Sequence, residues 1–292
     1  MCFFCISRHS AWAQGSSLSS PQRRLFLRGG SAVAAASGLA VAAPAQAQVN
    51  VGKSSAWRQL IPADQIEEAA TLQYNEMRTE AHSKRLLRPA SDPQLQQLQK
   101  IAERIIPHAT RWNERARDWK WEISLIDSKD LNAFCMPGGK IAFFTGILDR
   151  LKLSPDESAV IMGHEMAHAL REHARERLAK TSATNMGLSI ASQLFGLGDL
   201  GQAAANIGTE LLALRYSRSD ETEADVVGLE LSARGAFNPR ASVSLWNKMI
   251  AANGSGNMAF LSSHPSGPDR IRQLQATIPK VENLYRQAGG KG

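Results

Sequence analysis

Cysteine is nearly absent: three occur in 292 residues, and two of them, Cys2 and Cys5, fall in the first ten positions. Beyond these only Cys135 remains, so the body of the chain cannot close an internal disulfide. Cys135, followed by Met-Pro-Gly-Gly, reads as a small buried residue rather than a nucleophile. The body also has no uninterrupted apolar run of about 20 residues, which argues against a membrane-spanning helix. Strong charge of one sign is missing too. The formal charge is +7, and without residues 1–47, which hold Arg8, Arg23, Arg24 and Arg28 and no acid, it falls to +3, with 30 basic against 27 acidic side chains. So mild a balance gives no basis for nucleic-acid binding. The 43% hydrophobic content is ordinary for a globular chain long enough to bury a real core.

What is present begins with an address. Gln22-Arg-Arg-Leu-Phe-Leu-Arg28 is similar to a twin-arginine export signal, Gly29 to Ala43 is an alanine-rich apolar region, and Ala43-Pro-Ala45 and Ala45-Gln-Ala47 are small-x-small cleavage sites. The expectation is a cleaved leader over 1–47 and a periplasmic mature protein. No cysteine follows the apolar region, so a lipid anchor at this cleavage site is not supported.

A linker and a polar helix fill 48–90, the helix running from Pro62 to Leu86 with Ile66, Ala69, Ala70 and Tyr74 as its contact stripe. A second helix starts at Ser91-Asp-Pro and carries Leu95, Leu98, Ile101, Ala102, Ile105 and Ile106 at helical spacing. Trp112, Trp119 and Trp121 flank the next turn and read as core. Trp121 to Asp127 alternates like a half-buried strand, and Lys140 to Thr145 reads as another, entered through the Pro137-Gly-Gly turn. The main domain is expected over 91–286, with a disordered tail over 287–292.

The chemistry is concentrated in His164-Glu-Met-Ala-His168. On a helix, residues four apart share a face, so His164 and His168 can present two imidazoles to one metal ion. Glu165 projects about 100° round the helix, beside the metal, where a carboxylate can take a proton from water. Ser154, Pro155 and Glu157 form a capping box with proline in the first turn, and the apolar residues that follow predict a largely buried helix. Two histidines do not complete a catalytic zinc site, which ordinarily has three protein ligands. Glu221, in Ser217-Arg-Ser-Asp-Glu-Thr-Glu-Ala-Asp225, is the candidate third ligand. Asp225, one turn on, is placed to accept the outer N–H of a ligating histidine.

H-E-x-x-H followed by E-x-x-x-D resembles the gluzincin peptidases that include the CAAX prenyl endopeptidase, HtpX and Oma, and more closely their soluble periplasmic bacterial members such as LoiP, YcaL and the protease domain of BepA. Asn132 to Gly146 is similar to the family's strand before the active-site helix, and Ser263-His-Pro-Ser-Gly-Pro-Asp-Arg270 to its late loop. The resemblance implies a mainly helical α+β fold of zincin type, with a small sheet beside the active-site helix and one Zn²⁺ per chain. It implies a zinc endopeptidase of the bacterial cell envelope, acting on misfolded or unassembled polypeptides. It also places an edge strand along the cleft, where Ile141, Ala142 and Phe143 are expected to pair with an extended substrate. The alternative is a zinc-containing chaperone or assembly factor that binds unfolded chains and rarely cuts them.

Three features keep two readings each. His264 either reaches the fourth metal position, as a latency switch, or is an ordinary turn histidine. Arg270 either polarises a substrate carbonyl or braces its loop against Asp225 or Glu223. Met186 to Leu214 is a buried helical hairpin, or else a mobile flap or membrane-surface contact beside the cleft. Leu170 to Lys180 reads as a solvated charged face, with His173 as a structural residue rather than a ligand.

Overall fold

The computed structural model describes residues 49–185, 211, 214–252, 259–264 and 269–291. The expected leader and nearly all of Met186–Leu214 lie outside them. Helix α1 (Ala63–Ser83) buries Ile66, Ala69, Ala70 and Tyr74, and α2 (Pro93–Ile105) buries Leu95, Leu98, Ile101, Ala102 and Ile105, the stripes their spacing predicts. Asp92 starts α2 by accepting from the backbone N–H groups of Gln94 and Leu95, with Pro93 in the first turn.

Three short strands follow: β1 (Glu122–Ile126), β2 (Ala133–Met136) and β3 (Lys140–Phe144). Their order is β1-β3-β2, with β1 parallel and β2 antiparallel to β3. Side chains alternate between two cores, as a pleated strand requires. Ile141 and Phe143 face the main core with α2, while Ala142 and Ile126 face α1. On that second side the Tyr74 hydroxyl meets Ser124 Oγ at 2.8 Å and donates to the Ile141 carbonyl at 3.0 Å. Gly138 and Gly139 turn β2 into β3 at φ of +81° and +79°, a left-handed conformation that suits glycine. A Cβ on Gly139 would stand 2.7 Å from the Trp121 ring.

The strand order corrects one expectation. Ile141, Ala142 and Phe143 lie on β3, which is the central strand and pairs on both sides, so its backbone groups are already used. The open edge is β2, which has no strand partner on its other side among the described residues.

After α3 (Thr145–Arg150) comes α4 (Pro155–Leu170), which carries both motif histidines and is buried along nearly its whole length. Ser154 and Glu157 make the expected capping box, and at the far end the Asn113 side chain donates to the Leu170 carbonyl at 3.1 Å. The remaining helices are α5 (His173–Asn185), α6 (Arg218–Arg234), α7 (Ala241–Ala252), α8 (Ala259–Ser263) and α9 (Arg270–Gln287). Ser217 and Asp220 build a second capping box that starts α6.

Helices α4 and α6 meet backbone to backbone. A Cβ on Gly163 would fall 2.5 Å from the Gly228 carbonyl oxygen, and one on Gly228 2.6 Å from the His164 nitrogen. Ser232 Oγ ties the crossing by donating to the Ala159 carbonyl at 3.0 Å. This close approach lets side chains one turn away on both helices converge.

Two further expectations are revised. The stretch after α4 is not a plain solvated face, because Arg171, His173, Ala174, Leu178 and Ala179 are buried there. Nor are residues 288–291 a loose tail: the Tyr285 hydroxyl donates to the Lys291 carbonyl at 2.8 Å, and Gly290 N–H donates to the Tyr285 carbonyl at 2.9 Å.

Candidate metal centre

His164 and His168 stand one turn apart on α4, and Glu221 reaches across from the first turn of α6. Nε2 of His168 lies 3.1 Å from Nε2 of His164 and 3.3 Å from Glu221 Oε1, and His164 Nε2 lies 3.5 Å from Glu221 Oε2. His264, arriving from α8, puts its Nδ1 3.0 Å from Glu221 Oε1 and 3.3 Å from His164 Nε2. All four residues are buried, and their ligand atoms lie within 4.8 Å of one another. In a tetrahedral site with bonds near 2.0–2.1 Å, neighbouring ligand atoms sit roughly 3.3 Å apart. The spacings fit a divalent cation, and two imidazole nitrogens and a carboxylate are donors that suit it.

The groups behind the ligands hold them in place. His164 Nδ1 lies 3.0 Å from Asp225 Oδ1, so Asp225 accepts the outer N–H of that ring. Arg270, from the first turn of α9, donates to Glu221 Oε2 at 2.8 Å and to Asp225 Oδ1 at 2.7 Å. Its guanidinium sits 3.7 Å from the Trp246 ring centre and is buried, which is bracing geometry between two carboxylates. Glu223 takes no part in this brace and pairs instead with Arg171.

Electrostatics follow from burial and these contacts. Burial pushes the Glu221 carboxyl up, but hydrogen bonds from His164, His168 and His264 outweigh it and hold the group far below the usual carboxylate range. Burial pushes His164 down, while hydrogen bonds to Asp225 and Glu221 prevail and lift it to about 9. Burial alone dominates at His168, whose pKa falls well below that of free imidazole. Without a cation, then, His164 carries the proton between two carboxylates, and a bound divalent ion would displace it.

Glu165 occupies the next position round α4. Its Oε1 is buried without a hydrogen-bond partner and lies 3.5 Å from His264 Nε2. Burial raises its pKa, which disposes the group to accept a proton. It lines a cavity of about 60 Å³ with Asn132, Phe134, Met136, Tyr216 and His264, room for a few water molecules. The open edge of β2 therefore borders the same cavity as Glu165.

Tyr216 has no counterpart in the sequence reading, and His173, read there as structural rather than a ligand, stands closer to the site than expected. Tyr216 lays its ring over His168, centroids 3.9 Å apart and planes inclined by 30°, and its backbone N–H donates to the Ser263 carbonyl at 3.2 Å. No motif marks it, since it precedes the Ser217 cap in a stretch without periodicity. His173 places Nδ1 3.0 Å from Nδ1 of His168. The turn between α4 and α5, with Glu172 at φ +58°, breaks the helical phase and brings the ring back to His168.

The chain is similar to known proteins. The pattern of Peptidase family M48 matches residues 93–278. Mitochondrial metalloendopeptidase OMA1 of Schizosaccharomyces pombe is 39% identical over 168 residues, covering 56% of this chain and 49% of that protein. Metalloendopeptidase OMA1, mitochondrial, of Homo sapiens is 30% identical over 173 residues, 55% of this chain and 33% of that protein. Metalloprotease LoiP of Escherichia coli strain K12 is 25% identical over 150 residues, 51% of this chain and 59% of that protein. The chain thus spans less than two thirds of each of these relatives. Among the described residues no helix is long and apolar enough to cross a membrane. With the motif helix, the acidic helix and the late histidine all inside the matched region, the chain belongs to peptidase family M48, whose members are metal-dependent.

Proposed function

We propose that this protein is a zinc endopeptidase of the bacterial cell envelope that cuts misfolded or unassembled polypeptides. The observation that carries the reading is the convergence of His164, His168 and Glu221 at tetrahedral spacing, with the unpartnered Glu165 oxygen beside them. His164, His168 and Glu221 would hold Zn²⁺, which when bound supplies Lewis acidity toward the scissile carbonyl and the attacking water. Glu165 takes the proton of that water and returns it to the leaving amine. Asp225 and Arg270 keep the ligand side chains aimed. The outward backbone groups of β2, those not paired with β3, are available to an extended peptide whatever its side chains, which suits unfolded chains as substrates. The periplasmic setting rests on the twin-arginine pattern and the cleavage sites that follow it.

His264 caps the cluster in a latent state on this reading, since its Nδ1 stands at the fourth corner, within 3.0–3.3 Å of Glu221 and His164. Substrate has to displace it. The test of function is cleavage of an unfolded fluorescent substrate with and without chelator. Parent protein is expected to cut in a chelator-sensitive way and Glu165→Gln to retain metal without cutting. Equal cleavage by parent and Glu165→Gln would overturn the assignment. Chelator-sensitive binding of unfolded chains without cleavage by the parent would favour a chaperone.

A further inference from the structure

The Nδ1 to Nδ1 contact between His168 and His173, 3.0 Å long with the rings inclined by 75°, holds a single proton, so one ring donates and the other accepts. Nε2 of His168 faces the cluster, where it must offer a lone pair. A neutral imidazole with its lone pair at Nε2 carries its proton at Nδ1. His168 is therefore the donor, His173 accepts at Nδ1, and the proton of His173 resides on Nε2. That nitrogen is buried without a hydrogen-bond partner and is aimed at Glu223 Oε2, 3.6 Å away. Glu223 accepts from Arg171 Nε, and Arg171 Nη2 donates to the Gly52 carbonyl at 3.1 Å. The same segment is pinned again three residues earlier. Val49 N–H donates at 2.9 Å to Oε2 of Glu230, a fully buried carboxylate on α6 that also takes Arg234.

We propose that His173 is a positioning residue for the ligand His168, and that Glu223 and Arg171 extend this hold outward to the backbone of Val49–Gly52. The inference rests on the metal-site reading above. An acceptor on the outer nitrogen fixes the ligand's tautomer and ring plane and makes its inner nitrogen a better donor. Asp225 does this for His164, and the His173 relay does it for His168. The two ligand imidazoles are thus supported from opposite sides, one by α6 and α9, the other by α5 and the segment that leads into the domain.

The test uses the full-length protein and measures zinc affinity by competition with a chromogenic chelator. His173→Leu removes the acceptor and is expected to weaken zinc binding about 10–100-fold. His173→Asn, whose side-chain oxygen can take the place of Nδ1, should stay within about threefold of the parent, and Glu223→Gln should lie between the two. Val49→Pro, which deletes the N–H held by Glu230, should cost about twofold. If Leu and Asn at position 173 weaken binding equally, or neither does, His173 only fills space and the proposal falls. Should His173→Leu fail to fold, the Glu223→Gln result decides, and parental affinity there overturns the relay. Parental affinity in Val49→Pro removes the entry segment from it. A parent that binds no zinc contradicts the metal-site reading instead.

Discussion

His164 and His264 arrive at the same point by very different routes. His164 comes from a 16-residue helix capped at both ends and pressed against α6 at Gly163 and Gly228, with no room for a Cβ at either position. His264 comes at the end of the five-residue α8, seated by its own stack on Phe260, centroids 4.5 Å apart, and by the Tyr216 N–H on Ser263. Ligands that must keep their geometry through every turnover belong on the first kind of support. A side chain that must leave belongs on the second, where one short helical turn carries it. The difference supports the proposal that His164, His168 and Glu221 are the lasting ligands and His264 a removable cap.

Breaking the rigid side should have the largest effect. His164→Ala or Glu221→Ala is expected to lose both bound metal and peptide cleavage, read by metal analysis and a casein digest. Glu165→Gln should keep the metal and lower cleavage by roughly 10²–10⁴-fold, the usual contribution of a general base. Gly228→Ala attacks the crossing itself: its methyl group meets the His164 backbone, which should cost about 1–3 kcal/mol in a denaturant titration and lower zinc occupancy. Unchanged stability there would mean that α4 and α6 can separate without harm, and the contrast with α8 would lose its basis.

The removable side is sharpened by His264→Ala, expected to raise basal cleavage while zinc content stays the same. Unchanged or lower cleavage counts against the cap. The smallest effect is expected from Ser154→Ala, which removes one N-cap far from the ligands and should cost about 1 kcal/mol of stability without changing zinc content.

The contrast also explains what could be read without coordinates. Residues whose roles follow from spacing along one helix were legible: His164, Glu165 and His168 on α4, Glu221 and Asp225 on α6, the Ser154 cap, and the apolar stripes of α1 and α2. The two histidines and the stripes depend on helical periodicity, the cap on the residue types at a helix end. The position of β3 was not legible, because Ile141 to Phe143 has strong strand character whether a strand lies inside or outside. The sequence shows two strands, and the four-residue β2 is not among them; the order depends on β1 crossing over to join β3 in parallel, a long-range event no local pattern records. The contact between His173 and His168 escapes for a related reason. A continuous helix would carry position 173 away from His168, and the chain breaks that helix at Glu172.

Metal content after exhaustive dialysis is the most direct test of the account. One zinc per chain in the parent and in Glu165→Gln, with none in His168→Ala or Glu221→Ala, is the predicted result. A parent that holds no zinc, or a Glu221→Ala variant that holds as much as the parent, would contradict it.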